Sequence, residues 1–263
     1  MLSRSLIAAL SASAIALSVA GCAKDDTSTT TESGVKLVKD GTLTICTHLP
    51  YAPFEFTQNG KVVGFDIDVL KIAADAEGVK TNVVDTPWDT IVSGEALNTG
   101  KCDVAAGAMT IKPEREKVMD FTDPYFEATQ ALLTKKGSGI TSLDQLAGKT
   151  IAVQEGTTGE DYVKEHTPDG AKVVSFEDSV LTMQAVKTGK AAAGVNDNGL
   201  LYNFVKQNPD TEVTTEFKTG EEYGFSVKKD GNDALLDVIN KGIADKAAYG
   251  KAYSTWFGEA APQ

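Results

Sequence analysis

The sequence predicts an α/β protein of two lobes, and three observations carry that expectation. Strand-like and helix-like segments alternate between residues 42 and 109, the alternation starts afresh near residue 142, and two helical stretches close the chain. Such alternation builds parallel sheets with helical covers. Once a leader and a polar stretch are set aside, about 225 residues remain, a length that suits two lobes.

The first series opens with "TLTICT" (42–47), a strand, and "DIDVLKIAADAEG" (66–78), a helix stopped by Gly78. "TNVVDT" is a second strand, "TIVSGEALNTG" a helix closed by Gly100, and 104–109 a third strand of small apolar residues. In the second series Ser142 and Gln145 form a capping box before a short helix. "KTIAVQ", "AKVVSF" and "AAAGVND" read as strands, separated by helices that begin at "EDYVKEH" and "SVLTMQAVKTG". In the tail, Leu236, Ile239 and Ile243, then Tyr249, Tyr253 and Trp256, recur at helical spacing, so a helix pair can return to pack on the first lobe.

Residues 1–21 read as a lipoprotein signal peptide. Arg4 is its only charge, the apolar run over 6–19 is too short and too weakly apolar for a membrane helix, and "LSVAGC" places small residues before Cys22. Cleavage before Cys22 and lipidation of its sulfur are expected. The polar stretch that follows makes 22–37 a flexible tether from the membrane anchor.

The full chain carries a formal charge of −12, and loss of the leader removes one further positive charge. With no basic cluster among aromatics, nucleic acid is not an expected partner. Only His48 and His166 are present, and no ligand cluster with metal spacing joins Cys46 to His48, so neither a zinc site nor any cofactor is expected. A G-x-S-x-G elbow is missing, and "AGKT" (147–150) lacks the first glycine of a phosphate loop and precedes a strand.

Ligands of open parallel sheets bind beyond the carboxyl ends of strands. That rule singles out 48–54, 108–115, 154–158 and 196–197 as the lining of one cleft. Arg115 offers a planar fork suited to a carboxylate, and "GTTG" (156–159) is a turn at a helix start where free N–H groups attract an anion. Asp66 and Asp68 read as helix-capping or solvated acids, Phe54, Phe65, Tyr125 and Trp256 as core, and His166 as surface.

Cys46 and Cys102 present a conflict. An even pair in an exported chain favours a disulfide. If His48 and Ala108 mark level strand tips, however, the two cysteines stand about four residues and ~13 Å apart along the sheet, whereas a disulfide needs Cα atoms within about 7 Å. The expectation is that they are unpaired.

At this point the residues carry a family likeness. "VGFDIDVLKIAA", "PYAPFEF", "AMTIKPEREKVMDFTDPYF", "VQEGTTGEDY", "VNDNGLLY" and "YSTWFG" occur in the order in which they recur in the polar amino-acid-binding proteins of bacterial ABC importers, extracellular solute-binding family 3, and the chain resembles that family over roughly 40–258. The resemblance implies a two-lobed periplasmic-binding-protein fold of type II, a flytrap with two hinge strands near 127–130 and 222–225. Lobe 1 would hold 38–125 and 226–260, and lobe 2 would hold 130–221.

It also implies roles. Arg115 would grip an α-carboxylate, helped by Thr110 and by the turn at Thr157 and Thr158. The Ala108 carbonyl and Asp197 would meet the α-ammonium. Tyr51 and Trp88 would sandwich the ligand's side chain, and Gln154 and Asn196 would tune specificity. Two positions depart from the family pattern: His48 stands where glutamine- and histidine-binding relatives carry aspartate, and Ala192 replaces an aspartate in "GKAAAG".

The implied function is that of a receptor. A monomer outside the cytoplasm, anchored through Cys22, would close on a free amino acid and deliver it to an ABC-transporter permease. His48 in place of an acid points to a neutral-polar or acidic side chain, glutamine or glutamate first. Cyclohexadienyl dehydratases share the fold and form the catalytic alternative, disfavoured because the sequence offers no cleft acid beyond Asp197. A receptor-channel domain would need a membrane span that the chain lacks.

Overall fold

The computed structural model describes residues 29–262, so the signal segment and Cys22 lie outside the described residues. Two five-stranded sheets form the cores of two lobes. No helix among the described residues is long and apolar enough to cross a membrane.

The chain starts with a small hairpin, β1 (Thr29–Thr30) paired with β2 (Lys36–Leu37). Val35 and Leu37 are buried in the lobe 1 core, so the last part of the segment read as tether packs on the lobe instead. Then come β3 (Thr42–Thr47), a hairpin of β4 (Phe56–Gln58) and β5 (Lys61–Val63), α1 (Phe65–Ala76) and β6 (Lys80–Asp85). The first lobe continues through α2 (Trp88–Val92), α3 (Glu95–Asn98), β7 (Val104–Ala105), α4 (Pro113–Glu116) and β8 (Met119–Phe121). From Leu43 to Thr47 every residue of β3 is buried, as expected of a strand inside a sheet that is covered on both faces. One glycine is obligatory here. Gly64 has φ 143°, and a Cβ on it would lie 2.0 Å from the Phe54 carbonyl oxygen.

Two expectations change in lobe 1. The single helix expected in "TIVSGEALNTG" is two short ones, because Gly94 turns left-handed (φ 74°) between them. The strand expected over 104–109 ends at Ala105: Gly107 and Ala108 have positive φ, and Asp66 takes their N–H groups in place of a neighbouring strand.

The short strand also corrects the cysteine expectation. Cys46 and Cys102 form a disulfide, with Cα atoms 5.7 Å apart. Cys46 is level with Ala105, and the ladder between β3 and β7 is only two residues long. Cys102 therefore lies off the strand, where the rise of about 3.3 Å per residue that separated the pair does not apply. Both cysteines are buried.

The chain crosses to lobe 2 along β9 (Phe126–Lys135). A 3-10 turn over Leu143–Leu146 carries the expected capping box of Ser142 and Gln145. There follow β10 (Thr150–Gln154), α5 (Thr158–His166), β11 (Lys172–Phe176), α6 (Ser179–Lys187), β12 (Ala193–Asp197), α7 (Asn198–Gln207) and β13 (Thr211–Tyr223). The sheet order is β11-β10-β12-β9-β13, parallel from β11 to β12 and antiparallel at β9 and β13.

Having paired Phe126 with Tyr223 and Ala128 with Glu221, the chain recrosses to β14 (Ser226–Lys228), which lies between β7 and β8 of the first sheet. The last two helices, α8 (Asp233–Ala244) and α9 (Lys246–Phe257), pack on α1. Phe54, Phe65, Phe126, Tyr223 and Phe257 meet ring to ring where the two crossovers run together, with centroids 5.1–6.3 Å apart. Such contacts stiffen the base of the cleft.

Candidate functional site

The carboxyl ends of β3, β6, β7, β10 and β12 converge on one cavity between the lobes. His48, Tyr51, Trp88, Ala108, Thr110, Arg115, Gln154, Thr157, Thr158, Asn196 and Asp197 all border it, together with Glu55 and Gly107. His166 is exposed and stacks on Tyr162, far from this role.

Arg115 is buried in the short helix α4, which Pro113 starts at a position where no N–H is needed. Its guanidinium lies 5.4 Å over the Trp88 ring. One N–H donates to the Thr110 carbonyl at 2.8 Å and another to the Gly156 carbonyl, in the opposite lobe, at 3.1 Å. Burial lowers its pKa, and nearby Asp197, Asp161 and Glu221 oppose that shift. Trp88 donates to the same Gly156 carbonyl at 3.2 Å. Lys112 pairs with Asp161 across the mouth at 2.7 Å, and the Tyr51 hydroxyl reaches Asn196 and Asp197 at 2.8 Å. The lobes are closed.

Asp197 is the buried acid that lobe 2 brings to the cavity wall. It starts α7 but makes no side-chain cap, so a simple capping role does not account for it. Tyr51, Tyr223 and Gln130 donate to it. Burial first, then the charge of Glu221, raises its pKa to about 6 against those donors.

In the turn before α5, Thr157 caps the helix through Glu160 and donates to the Gln154 carbonyl at 2.8 Å. The Gly156 N–H is taken by Glu160 at 2.9 Å. Thr158 opens the helix, where backbone N–H groups have no helical acceptor. Gln154 and Asn196 are buried neighbours, their amides 3.5 Å apart.

His48 carries the most specific information. Its Nδ1 lies 3.2 Å from the Thr86 carbonyl, which can only accept, so in the neutral ring Nδ1 holds the proton. Nε2 is then an acceptor, and it is buried with no partner among the described residues. A wider depression outside the cavity shares His48 and Trp88 with it and is edged by Asp85, Asp89, Glu155 and Glu177.

Several residues of the site were not foreseen. Asp66, read as a cap or a solvated acid, is fully buried and accepts from the Gly107 and Ala108 N–H groups at 3.2 and 3.0 Å and from Tyr125 at 2.8 Å. It shapes the turn that presents Ala108. Glu55 is buried against it, its pKa raised well above the carboxyl range by burial and then by Asp66. Neither of its oxygens has a hydrogen-bond partner among the described residues. Gln130 and Glu221, from the two crossover strands, are buried behind the cavity wall. The cleft thus holds more acid than Asp197 alone. An acid between aromatics in "PFEF" was the visible signal for Glu55, whereas nothing local marks Gln130.

A model of the family described as bacterial extracellular solute-binding proteins, family 3, matches residues 43–259. The chain belongs to this family. Among its relatives, a probable histidine-binding protein of Neisseria gonorrhoeae is 32% identical over 262 residues, 96% of this chain and 94% of that one. The ABC transporter glutamine-binding protein GlnH of Bacillus subtilis (strain 168) is 35% identical over 206 residues, 76% of this chain and 75% of that one. An ancestral arginine-binding protein, solved bound to glutamine and also to arginine, shares 43% identity at a TM-score of 0.77, over 83% of this chain and 99% of that one. As a family 3 member, this chain has the two-lobed periplasmic-binding-protein fold that the paired sheets display.

Proposed function

We propose that this protein is an extracytoplasmic receptor, anchored through a lipid on Cys22, that closes on one free amino acid and presents it to an ABC-transporter permease. The observation that carries the reading is the placement of Arg115 and Asp197, from opposite lobes, on one enclosed cavity. A cation and an anion so placed suit the two ends of a zwitterion. Charge-assisted hydrogen bonds contribute roughly 1.5–3 kcal/mol each, and micromolar affinity requires only about −8 kcal/mol. A few such bonds leave a surplus that offsets desolvation and the ordering of closure.

For the side chain, the geometry favours a group that donates. A bare Nε2 on His48 accepts from an amide or a guanidinium and opposes a carboxylate. The acidic rim beyond it works in the same direction. Glutamine therefore stays in the proposal, arginine joins it, and glutamate leaves it. A thermal-shift screen of the common amino acids, followed by calorimetry on those that stabilise the protein, is the test. Binding of glutamate ahead of both glutamine and arginine would refute the side-chain assignment, and stabilisation by no amino acid would refute the receptor reading.

A further inference from the structure

Glu221 lies on β13, two residues before Tyr223, where the chain returns to lobe 1. It is buried yet does not border the cavity. Two threonine hydroxyls end on a single oxygen of its carboxylate, Oε2: Thr110 of lobe 1 at 2.8 Å and Thr158 of lobe 2 at 2.7 Å. Gln130, from the other crossover strand, reaches both carboxylate oxygens at 3.1 and 3.2 Å and also donates to Asp197.

A carboxylate accepts and does not donate, so both threonine protons point at Glu221. Two consequences follow. The hydroxyl protons of Thr110 and Thr158 are turned away from the cavity, and Thr158 also accepts from Gln130 at 3.2 Å, which leaves Arg115 and backbone N–H groups to meet an anion there. In addition, one oxygen atom joins the two lobes through protein groups alone. An amide at 221 could not replace it: with its oxygen on the threonines, its N–H groups would face the donors of Gln130.

We propose that Glu221 is a positioning residue that ties Thr110 to Thr158 and thereby favours the closed arrangement before any ligand is present. Only its effect on ligand release rests on the receptor reading above.

The test is the small-angle scattering radius of the ligand-free protein, measured for the wild type, Glu221→Gln, Glu221→Ala, Thr158→Val and the Glu221→Gln/Thr158→Val double variant. Thermal melts identify the variants that fold, and Thr158→Val serves if neither change at 221 does. Each single change should enlarge the radius, and the double variant should match the larger single effect, since both break one link. With L-glutamine and L-arginine as probes, dissociation from Glu221→Gln should be at least tenfold faster. Equal radii for the wild type and the folded variants would overturn the proposal, as would full additivity in the double variant. Radii that follow the expectation while neither probe binds the wild type would leave the link standing and remove the receptor reading.

Discussion

The guanidinium of Arg115 sits 5.4 Å over the ring of Trp88, and both side chains donate to the carbonyl of Gly156 in the opposite lobe. The carboxylate grip proposed for Arg115 and the closure of the lobes are therefore mechanically one unit. Trp88→Phe keeps a ring under the cation but loses the bond across the cleft, and should weaken amino-acid binding by roughly threefold to tenfold, the worth of one neutral hydrogen bond. Trp88→Ala removes the cation–π contact as well and should weaken it further. Isothermal titration of both variants checks the order. Equal affinities would show that the ring itself contributes nothing.

Asp66→Asn should destabilise the protein by about 2 kcal/mol, because a buried acceptor shared by two backbone N–H groups and a tyrosine loses one of its oxygens. The loss should be accompanied by weaker ligand binding, since Ala108 is presented by the same turn. Denaturant melts read the first effect and calorimetry the second. A stable variant with normal affinity would mean that the turn holds itself.

Burial raises the carboxyls of Asp103 and Asp197 from 3.8 to about 6. Between those values the folded chain holds protons that the unfolded chain has released, so the stability these groups confer is full below the unfolded pKa and is lost as pH rises through about 6. For the fully buried Asp197 the effect is on the order of 2–3 kcal/mol. Asp197→Asn also gives up an oxygen that accepts from Tyr51 and Tyr223 or from Gln130, so in the absence of ligand it should melt below the wild type at pH 4, with the gap narrowing toward pH 7. Binding of an ammonium group to the wild type should weaken as pH falls below about 6. A gap in melting temperature that does not change with pH would contradict this assignment.

The Cys46–Cys102 link closes a loop with a sequence separation of 56 residues. In the chain-entropy model a loop of that size contributes about 4 kcal/mol. Reduction should add two hydrogens to the mass and lower the melting temperature of the ligand-free protein. An unchanged mass after treatment with reductant under denaturing conditions would show the pair unbonded.

The link also marks where sequence reasoning stops. "TLTICT" was legible as a strand because its β-branched and apolar residues suit a pleated, buried surface, and Ser142 with Gln145 was legible because the box is local. The level of one strand against another is set by side chains far away in sequence. Asp66 takes the N–H groups of Gly107 and Ala108 and ends β7 after two residues, while Cys102 precedes the strand and stands outside the ladder. Nothing within 102–109 announces this. The cavity lining was legible because strand ends carry it, whereas Gln130 and Glu221 sit within the crossover strands, where nothing in the local sequence sets the pair apart from ordinary polar positions.

The central claim is that Arg115 holds a carboxylate inside a closed cleft, and calorimetric titration of Arg115→Ala beside the wild type tests it most directly. The titrants would be glutamine, arginine and glutamate, with a melt to show that the variant is folded. The account predicts micromolar or tighter wild-type binding of glutamine or arginine, ahead of glutamate, and a loss of at least 100-fold in the variant, about 2.7 kcal/mol. A folded Arg115→Ala protein that binds within about fivefold of the wild type, under roughly 1 kcal/mol, would contradict it.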